Sequence, residues 1–404
     1  MRSCARIGAA CAIMLTTSML AASSLHAAEM RGVSPGEIKI GQTMPYSGPV
    51  SAFGALGKGE VGYFKMLNES GGINGRKVDL ISLDDSYAPP KAVEQTRRLV
   101  ESDEVALIFS SIGTAQNTAI AKYLQSKNIP QLFVGSGASK FGDIAQHPQA
   151  TVGVQAPFRY EARLYARYAL KQNPNAHFAV LSQNDDYGRD YLAGLKDVLG
   201  DKYDSVVTGA TYEVSDPTID SQIVKLKASG ADVFVIAATP KFAAQAIRKS
   251  HEIGWRPLTF LSSTAVWIST VMKPAGPEAG VGIISTAYVK DPDDPAWDND
   301  PGVKGWRAFM TKYVPEADQH DTNYVNAYNS AMTLEAVLKA CGDDLSTENI
   351  LKQAFAIHDL TLPMLLPGIK VNTSPTDHVP VDQMQFMRFN GKSWDRFGDL
   401  ETGN

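Results

Sequence analysis

Val105-Ala106-Leu107-Ile108-Phe109-Ser110-Ser111-Ile112-Gly113-Thr114-Ala115-Gln116-Asn117 reads as an apolar strand, a loop of small and hydroxyl residues, and the opening of a helix. The strand is predicted over 105–109 and the helix over 114–127, and the same order recurs on both sides. Upstream, Ile38-Lys39-Ile40 begins a strand that stops at Pro45 and Gly48. A helical pattern over 54–69 follows, closed by Gly71-Gly72-Ile73-Asn74-Gly75, whose glycines permit the positive φ of a helix exit and a tight turn. A strand over 78–83 and a helix over 90–103, with proline in its first turn, lead into the quoted segment. A strand over 131–134 follows it.

A second series begins after Thr151-Val152-Gly153-Val154. Helices are predicted over 159–172, 187–199, 219–228 and 241–253, with strands over 178–181, 205–211, 233–237 and 258–261. The two halves share this pattern without a visible sequence repeat. Strands interleaved with helices of this length predict right-handed βαβ units on parallel sheets. Residues 291–300 are rich in Asp and Pro, the composition of a solvated loop. Amphipathic segments at 303–313, 323–340 and 347–356 come next, and a glycine-punctuated tail predicts short strands.

The chain of 404 residues, 44% hydrophobic and 20% charged, fits two compact domains. Its 38 Lys and Arg against 43 Asp and Glu give a formal charge of −5, which offers no electrostatic grip on nucleic acid or anionic lipid. Residues 1–28 carry Arg2 and Arg6, no acid, an apolar run over 7–20 and a small-residue exit at Ala27-Ala28. That is the layout of an export signal, cleaved near Ala27 to Glu29, and the run is too short to span a bilayer. The rival reading, a lipid-modified Cys11, lacks a Leu three positions before the cysteine. Cleavage removes two bases and no acid, taking the charge from −5 to −7, and leaves Cys341 without a disulfide partner. The expected product is an exported, periplasmic monomer with no membrane-spanning segment.

No His-Glu-x-x-His pair or Walker loop occurs, and His147, His177, His251, His320, His358 and His378 show no ligand spacing. Neither a metal nor a cofactor is expected, and no catalytic residue is assigned. Gly57-Lys58-Gly59-Glu60-Val61-Gly62 matches the dinucleotide fingerprint but falls inside the first predicted helix, where its glycines suit close packing instead. Two loops are better placed. Ser110 to Asn117 and Gly135-Ser136-Gly137-Ala138-Ser139 each follow a strand, where free amides, hydroxyls and a helix N-terminus meet. They suit a carboxylate; ordinary helix capping by Ser111, Thr114 and Ser139 is the alternative.

The order Gly48-Pro49, Phe53-Gly54, Gly71-Gly72-Ile73-Asn74-Gly75, Asp84-Asp85, Pro89-Pro90-Lys91-Ala92-Val93, Ser111, Thr114, Gly137-Ala138-Ser139 and Asp186-Tyr187-Gly188 resembles the type I periplasmic solute-binding proteins of the leucine/isoleucine/valine-binding family. These are the receptors of branched-chain-amino-acid-type ABC importers, and the similarity covers about residues 37–340. It implies an α/β fold of two Rossmann-like lobes with parallel sheets, joined by a three-crossover hinge that closes on ligand. Lobe 1 would comprise 29–156 plus 284–358, and lobe 2 would comprise 157–283 plus 359–404. The resemblance implies that Ser111, with Thr114 close by, and Gly137 and Ser139 hold a ligand carboxylate. Phe53 would cover the ligand's side chain, and Tyr187 would close from the opposite lobe or else pack within its own.

Members that bind α-amino acids carry a carboxylate for the ammonium in the loop that here reads Ser262-Ser263-Thr264-Ala265. The second-lobe loop that often carries an aromatic reads Ala237-Ala238-Thr239-Pro240, and the family's disulfide is absent at Ser86-Tyr87. A buried ammonium without a paired acid costs several kcal/mol. The expected ligand is therefore a carboxylic acid without an α-ammonium, with an aromatic acid of benzoate or cinnamate type favoured. Trp267 and Tyr187 would add ring walls, and Thr264 and Thr239 would bond a ring hydroxyl. Arg159 would be either a counter-charge or an exposed helix-start arginine, and Trp267 either a wall or core. The partners would be the permease subunits of the importer. Two alternatives remain: an amino-acid or amide receptor using Asp185 or Glu213, and an exported enzyme or sensory partner.

Overall fold

The structure, a computed structural model, describes residues 30–403; the expected export signal lies outside the described residues. The first series folds as β1 (Glu37–Met44), α1 (Gly54–Glu69), β2 (Lys77–Asp84), α2 (Pro89–Glu101), β3 (Ile108–Phe109), α3 (Thr114–Ser126) and β4 (Gln131–Leu132). The four strands form one parallel sheet in the order β2-β1-β3-β4. Asn68, near the end of α1, exchanges two 2.8 Å hydrogen bonds with the Val78 backbone and so pins the helix exit to β2. Between them Gly71, Gly72 and Gly75 take positive φ, as the tight turn requires.

The second series runs α4 (Phe158–Gln172), β5 (Phe178–Gln183), α5 (Asp186–Leu199), α6 (Tyr203–Val206), β6 (Val207–Tyr212), α7 (Asp220–Ala228), β7 (Val233–Ala237), α8 (Pro240–Glu252) and β8 (Leu258–Leu261). The short helices α9 (Lys273–Ala275) and α10 (Pro277–Gly280) lead to β9 (Ile284–Ala287). Every residue of β5 and β7 is buried, because helices cover both faces of this sheet. The chain then returns to the first lobe as α11 (Pro301–Tyr313), α12 (Asn323–Ala340) and α13 (Thr347–Ala354), where α12 lies against α1. It crosses once more to form β10 (Gln383–Phe389) and β11 (Trp394–Thr402). The second sheet is therefore β11-β10-β9-β8-β7-β5-β6, with β9, β10 and β11 antiparallel to their neighbours at the β9/β10 and β10/β11 joints. Two lobes and three crossings result.

Four expectations need correction. Residues 284–287 pair with β8 and β10 and belong to lobe 2, not lobe 1. Part of the stretch assigned to lobe 2 from 359 on bonds to lobe 1: Thr373 Oγ1 donates to the Ala354 carbonyl, and Val152 donates to the His378 carbonyl. The strands expected over 105–109 and 131–134 shrink to 108–109 and 131–132; the second ends early because Phe133 turns to φ +49° and leaves the ladder. The strand expected from 205 begins at 207, after the helical turn of α6.

Candidate functional site

Between the lobes lies a cleft with about 760 Å³ of open space, solvent included. The first lobe contributes Phe53 and Leu56 from the start of α1, Tyr87, the loop 110–114 after β3, and the loop 133–135 after β4. From α12 it adds Asn323, Asn326 and Ser330. The crossover supplies Gly153 to Gln155 and Phe158, and the second lobe supplies Tyr187, Thr239, Ser263, Thr264 and Trp267. Tyr288, just beyond β9, completes the wall. The strand ends place these side chains, as open α/β sheets place ligands at the carboxyl ends of their strands.

Six expected residues meet here: Phe53, Thr114, Tyr187, Thr239, Thr264 and Trp267. The other four do not line the cavity. Ser111 Oγ accepts the Thr43 amide at 2.9 Å, and its carbonyl accepts Asn117, so the residue ties the loop to β1. Gly137 is covered by the Ala156 carbonyl and Phe158. Ser139 donates its amide and hydroxyl to the Asp190 carboxylate of α5, at 2.6 and 2.7 Å, across the lobes. Arg159 is engaged bidentately by Asp197 and does not line the cavity. Trp267 is nearly buried yet faces the cavity, so core and wall coincide.

Among the described residues, no Asp, Glu, Lys or Arg lines this cavity. Asp185 caps α5 through the amides of Tyr187 and Gly188, and Glu213 accepts Asn184 at an exposed position, so neither reaches the site as an ammonium partner. The polar groups present are neutral. Thr114 Oγ1 sits 2.7 Å from Ser136 Oγ, at the start of a helix whose N-cap, Gly113, makes no side-chain cap. The partial positive charge of the α3 N-terminus thus faces the lumen beside Thr114. Burial raises Tyr187 well above the ordinary phenol value, with Ser262 and Thr264 offsetting part of it, so it remains a protonated donor.

The Tyr187 hydroxyl continues into a chain of contacts beneath the wall. It lies 3.2 Å from Thr264 Oγ1, which lies 2.8 Å from Ser262 Oγ. Tyr191 reaches Ser262 at 2.8 Å and donates to Glu161. Glu161 also accepts Thr286 Oγ1 and, at 3.1 Å, the amide of cavity residue Ser263. Burial pushes its carboxyl up, and the surrounding donors draw it part of the way back. Glu161 therefore holds the Ser262-Ser263-Thr264 loop from below.

Sequence reasoning missed Tyr87, Gln155, Tyr288 and the α12 set, and named the loop of Ser110 without singling that residue out. A signal existed for the last: Asn323, Asn326 and Ser330 stand at i, i+3 and i+7, a polar stripe on a largely buried helix. The Oδ1 atoms of Asn323 and Asn326 are buried and without hydrogen-bond partners. Three non-glycine residues with left-handed φ also line the cavity, Tyr87, Ser110 and Phe133, each a conformation costing about 1–2 kcal/mol. Backbone strain of this kind gathers at ligand-binding sites. The Gly57 to Gly62 run, by contrast, lies within α1, where Gly59 packs against Ala327 and Tyr324 of α12.

This two-lobed architecture, with its cavity at the strand ends, has a counterpart among known families. Residues 37–393 match the family described as periplasmic binding protein. The chain belongs to that family. A Leu/Ile/Val-binding protein homolog 7 of Brucella suis is 24% identical over 348 residues, which are 83% of this chain and 85% of the relative. A Thermus thermophilus branched-chain amino acid ABC transporter structure with bound valine superposes with a TM-score of 0.79 at 14% identity, covering 91% of this chain and 97% of that one. An ABC-transporter solute-binding protein of R. palustris in complex with benzoate superposes with a TM-score of 0.72 at 20% identity, covering 91% and 97%. The type I periplasmic binding protein fold implied by the resemblance is thus borne out. The family is one of solute-binding proteins, and among the described residues no helix is long and apolar enough to cross a membrane.

Proposed function

We propose that this periplasmic binding protein is the receptor of an ABC importer, captures a monocarboxylic acid bearing an aromatic ring, of benzoate or cinnamate type, and delivers it to membrane permease subunits. The observation that carries this reading is the lining of the cavity: rings from Phe53, Trp267, Phe133, Phe158 and Tyr187, and, among the described residues, no charged side chain of either sign. An α-ammonium would enter without a carboxylate to pair with, whereas a carboxylate finds the α3 N-terminus, Thr114 and the Gln155 amide. Six aromatic or hydroxyl residues foreseen from sequence supply the ring walls and the hydroxyl partners. A dissociation constant near ~1 μM corresponds to about −8 kcal/mol, within reach of a charge-assisted carboxylate site and stacked rings. Capture is by closure, with export directed by residues 1–28.

A second reading has one observation behind it. The unpartnered Oδ1 atoms of Asn323 and Asn326 accept N–H donors, which favours an amino-acid or amide ligand. Isothermal titration with benzoate, 4-hydroxybenzoate and cinnamate against valine and leucine separates the two. Heat release from the aromatic acids alone is expected; tight binding of valine with none of the acids would reject the first reading.

A further inference from the structure

A second hollow, with about 600 Å³ of open space including solvent, adjoins the first and shares Ser263, Trp267, Tyr288 and Asn326 with it as walls. Its own lining joins six apolar residues, Val266, Ile268, Ala287, Val289, Met387 and Trp394, to Thr286, Thr322, His320 and two aspartates. None of the shared walls belongs to the loops at 110–114, 133–135 or 153–155, where the carboxylate would sit. A ligand held by its carboxylate at the α3 N-terminus therefore directs its far end towards the second hollow. Among the described residues the acids on that hollow are Asp291 and Asp293, the latter 2.6 Å from His320 Nδ1.

We propose that the second hollow is the tail subsite of the same binding site, and that it takes an apolar para-substituent several carbons long on the aromatic acid. The inference rests on the aromatic-acid reading and deepens it. Six apolar side chains reward burial of methylenes, while a second carboxylate buried there would lose its hydration and stand beside Asp291, Asp293 being paired with His320. The preferred ligand class is thus the alkyl-extended aromatic monoacid, not the unsubstituted ring and not a diacid.

Titration calorimetry of the full protein with benzoate and 4-methyl-, 4-ethyl-, 4-propyl- and 4-butylbenzoate tests this. Affinity should rise about three- to fourfold per carbon along the series. 4-(3-Carboxypropyl)benzoate should bind at least tenfold more weakly than 4-butylbenzoate. Ile268→Trp, which fills the second hollow, should erase the chain-length gain while leaving benzoate affinity within twofold; Val266→Phe serves as an independent filler if the first variant folds poorly. Benzoate binding without a chain-length gain, or a gain that survives both fillers, overturns the tail subsite alone. Absence of binding by every acid in the series overturns the aromatic-acid reading and this inference together.

Discussion

Phe53 of the first lobe stands edge-on to Trp267 of the second, with ring centroids 5.1 Å apart and planes at 85°. The pair bridges the two lobes over the cavity, so one contact both covers the ligand and reports closure. Such edge-to-face pairs contribute about 0.5–1.5 kcal/mol beyond area burial.

Phe53→Ala and Trp267→Ala should each weaken aromatic-acid binding about tenfold or more. Because the rings touch, the double variant should lose less than the product of the single losses. A calorimetric double-mutant cycle measures the coupling. Strict additivity would show that the rings act separately and that closure does not join them.

The Ser139 and Asp190 contact joins the lobes at another place, with Lys140 Nζ at 2.8 Å from Asp186 beside it. Losing one hydrogen bond to a charged acceptor destabilises the closed form without touching the ligand. Ser139→Ala should therefore lower the affinity of every ligand by one common factor, roughly fivefold, as a shift in the population of closed molecules. Small-angle scattering should show a larger radius of gyration at partial saturation. A loss confined to carboxylate ligands would return Ser139 to the carboxylate site read from its sequence position.

Residue 139 shows where sequence reading ends. Loops after strands were legible, since the bounds of α1, β7, β8 and α12 follow from periodicity and glycine or proline punctuation. Phe53, Thr114 and Tyr187 fall at element starts, where local position alone aims a side chain at the cleft. Asp190 lies 51 residues from Ser139, and nothing local announces their contact. The same holds for β9, whose membership of lobe 2 is decided by pairing with β8 and β10. Residues 323–340 were read for their apolar positions, so the asparagine stripe went unused.

Helix α1 meets α12 through Gly59: a Cβ there would stand 2.7 Å from the Ala327 Cβ and 3.0 Å from the Tyr324 ring. Glycine to alanine in a helix normally stabilises by about 1 kcal/mol. Here overpacking, at about 1–3 kcal/mol, should outweigh it, and Gly59→Ala should melt a few degrees below the parent. Ala327→Gly in the same chain relieves the clash and should restore part of the loss. A Gly59→Ala protein that melts higher than the parent would show that the helices separate at little cost.

Glu60, on the same helix, is fully buried, with Gln42 donating to one carboxylate oxygen. Burial pushes its carboxyl up to about 8 from the ordinary 4.5, against smaller opposing effects of Ser110 and Gln42. Below about pH 4.5 both the folded and unfolded chains hold this proton. Between 4.5 and 8 only the folded chain keeps it, so the unfolded state binds fewer protons and stability falls as pH rises. The slope approaches about 1.4 kcal/mol per pH unit, before other groups add their own. Glu60→Gln preserves the shape and removes the titration. Urea midpoints followed from pH 5 to 8 should therefore fall for the parent relative to Glu60→Gln, with the gap widening towards pH 8. Parallel curves over that range would mean that Glu60 is already ionised in the folded protein and that its buried charge is compensated. The effect reaches the cavity through Ser110, which lies beside Glu60 and lines the wall, so ligand affinity of the parent should also drift above pH 8 while that of Glu60→Gln stays level.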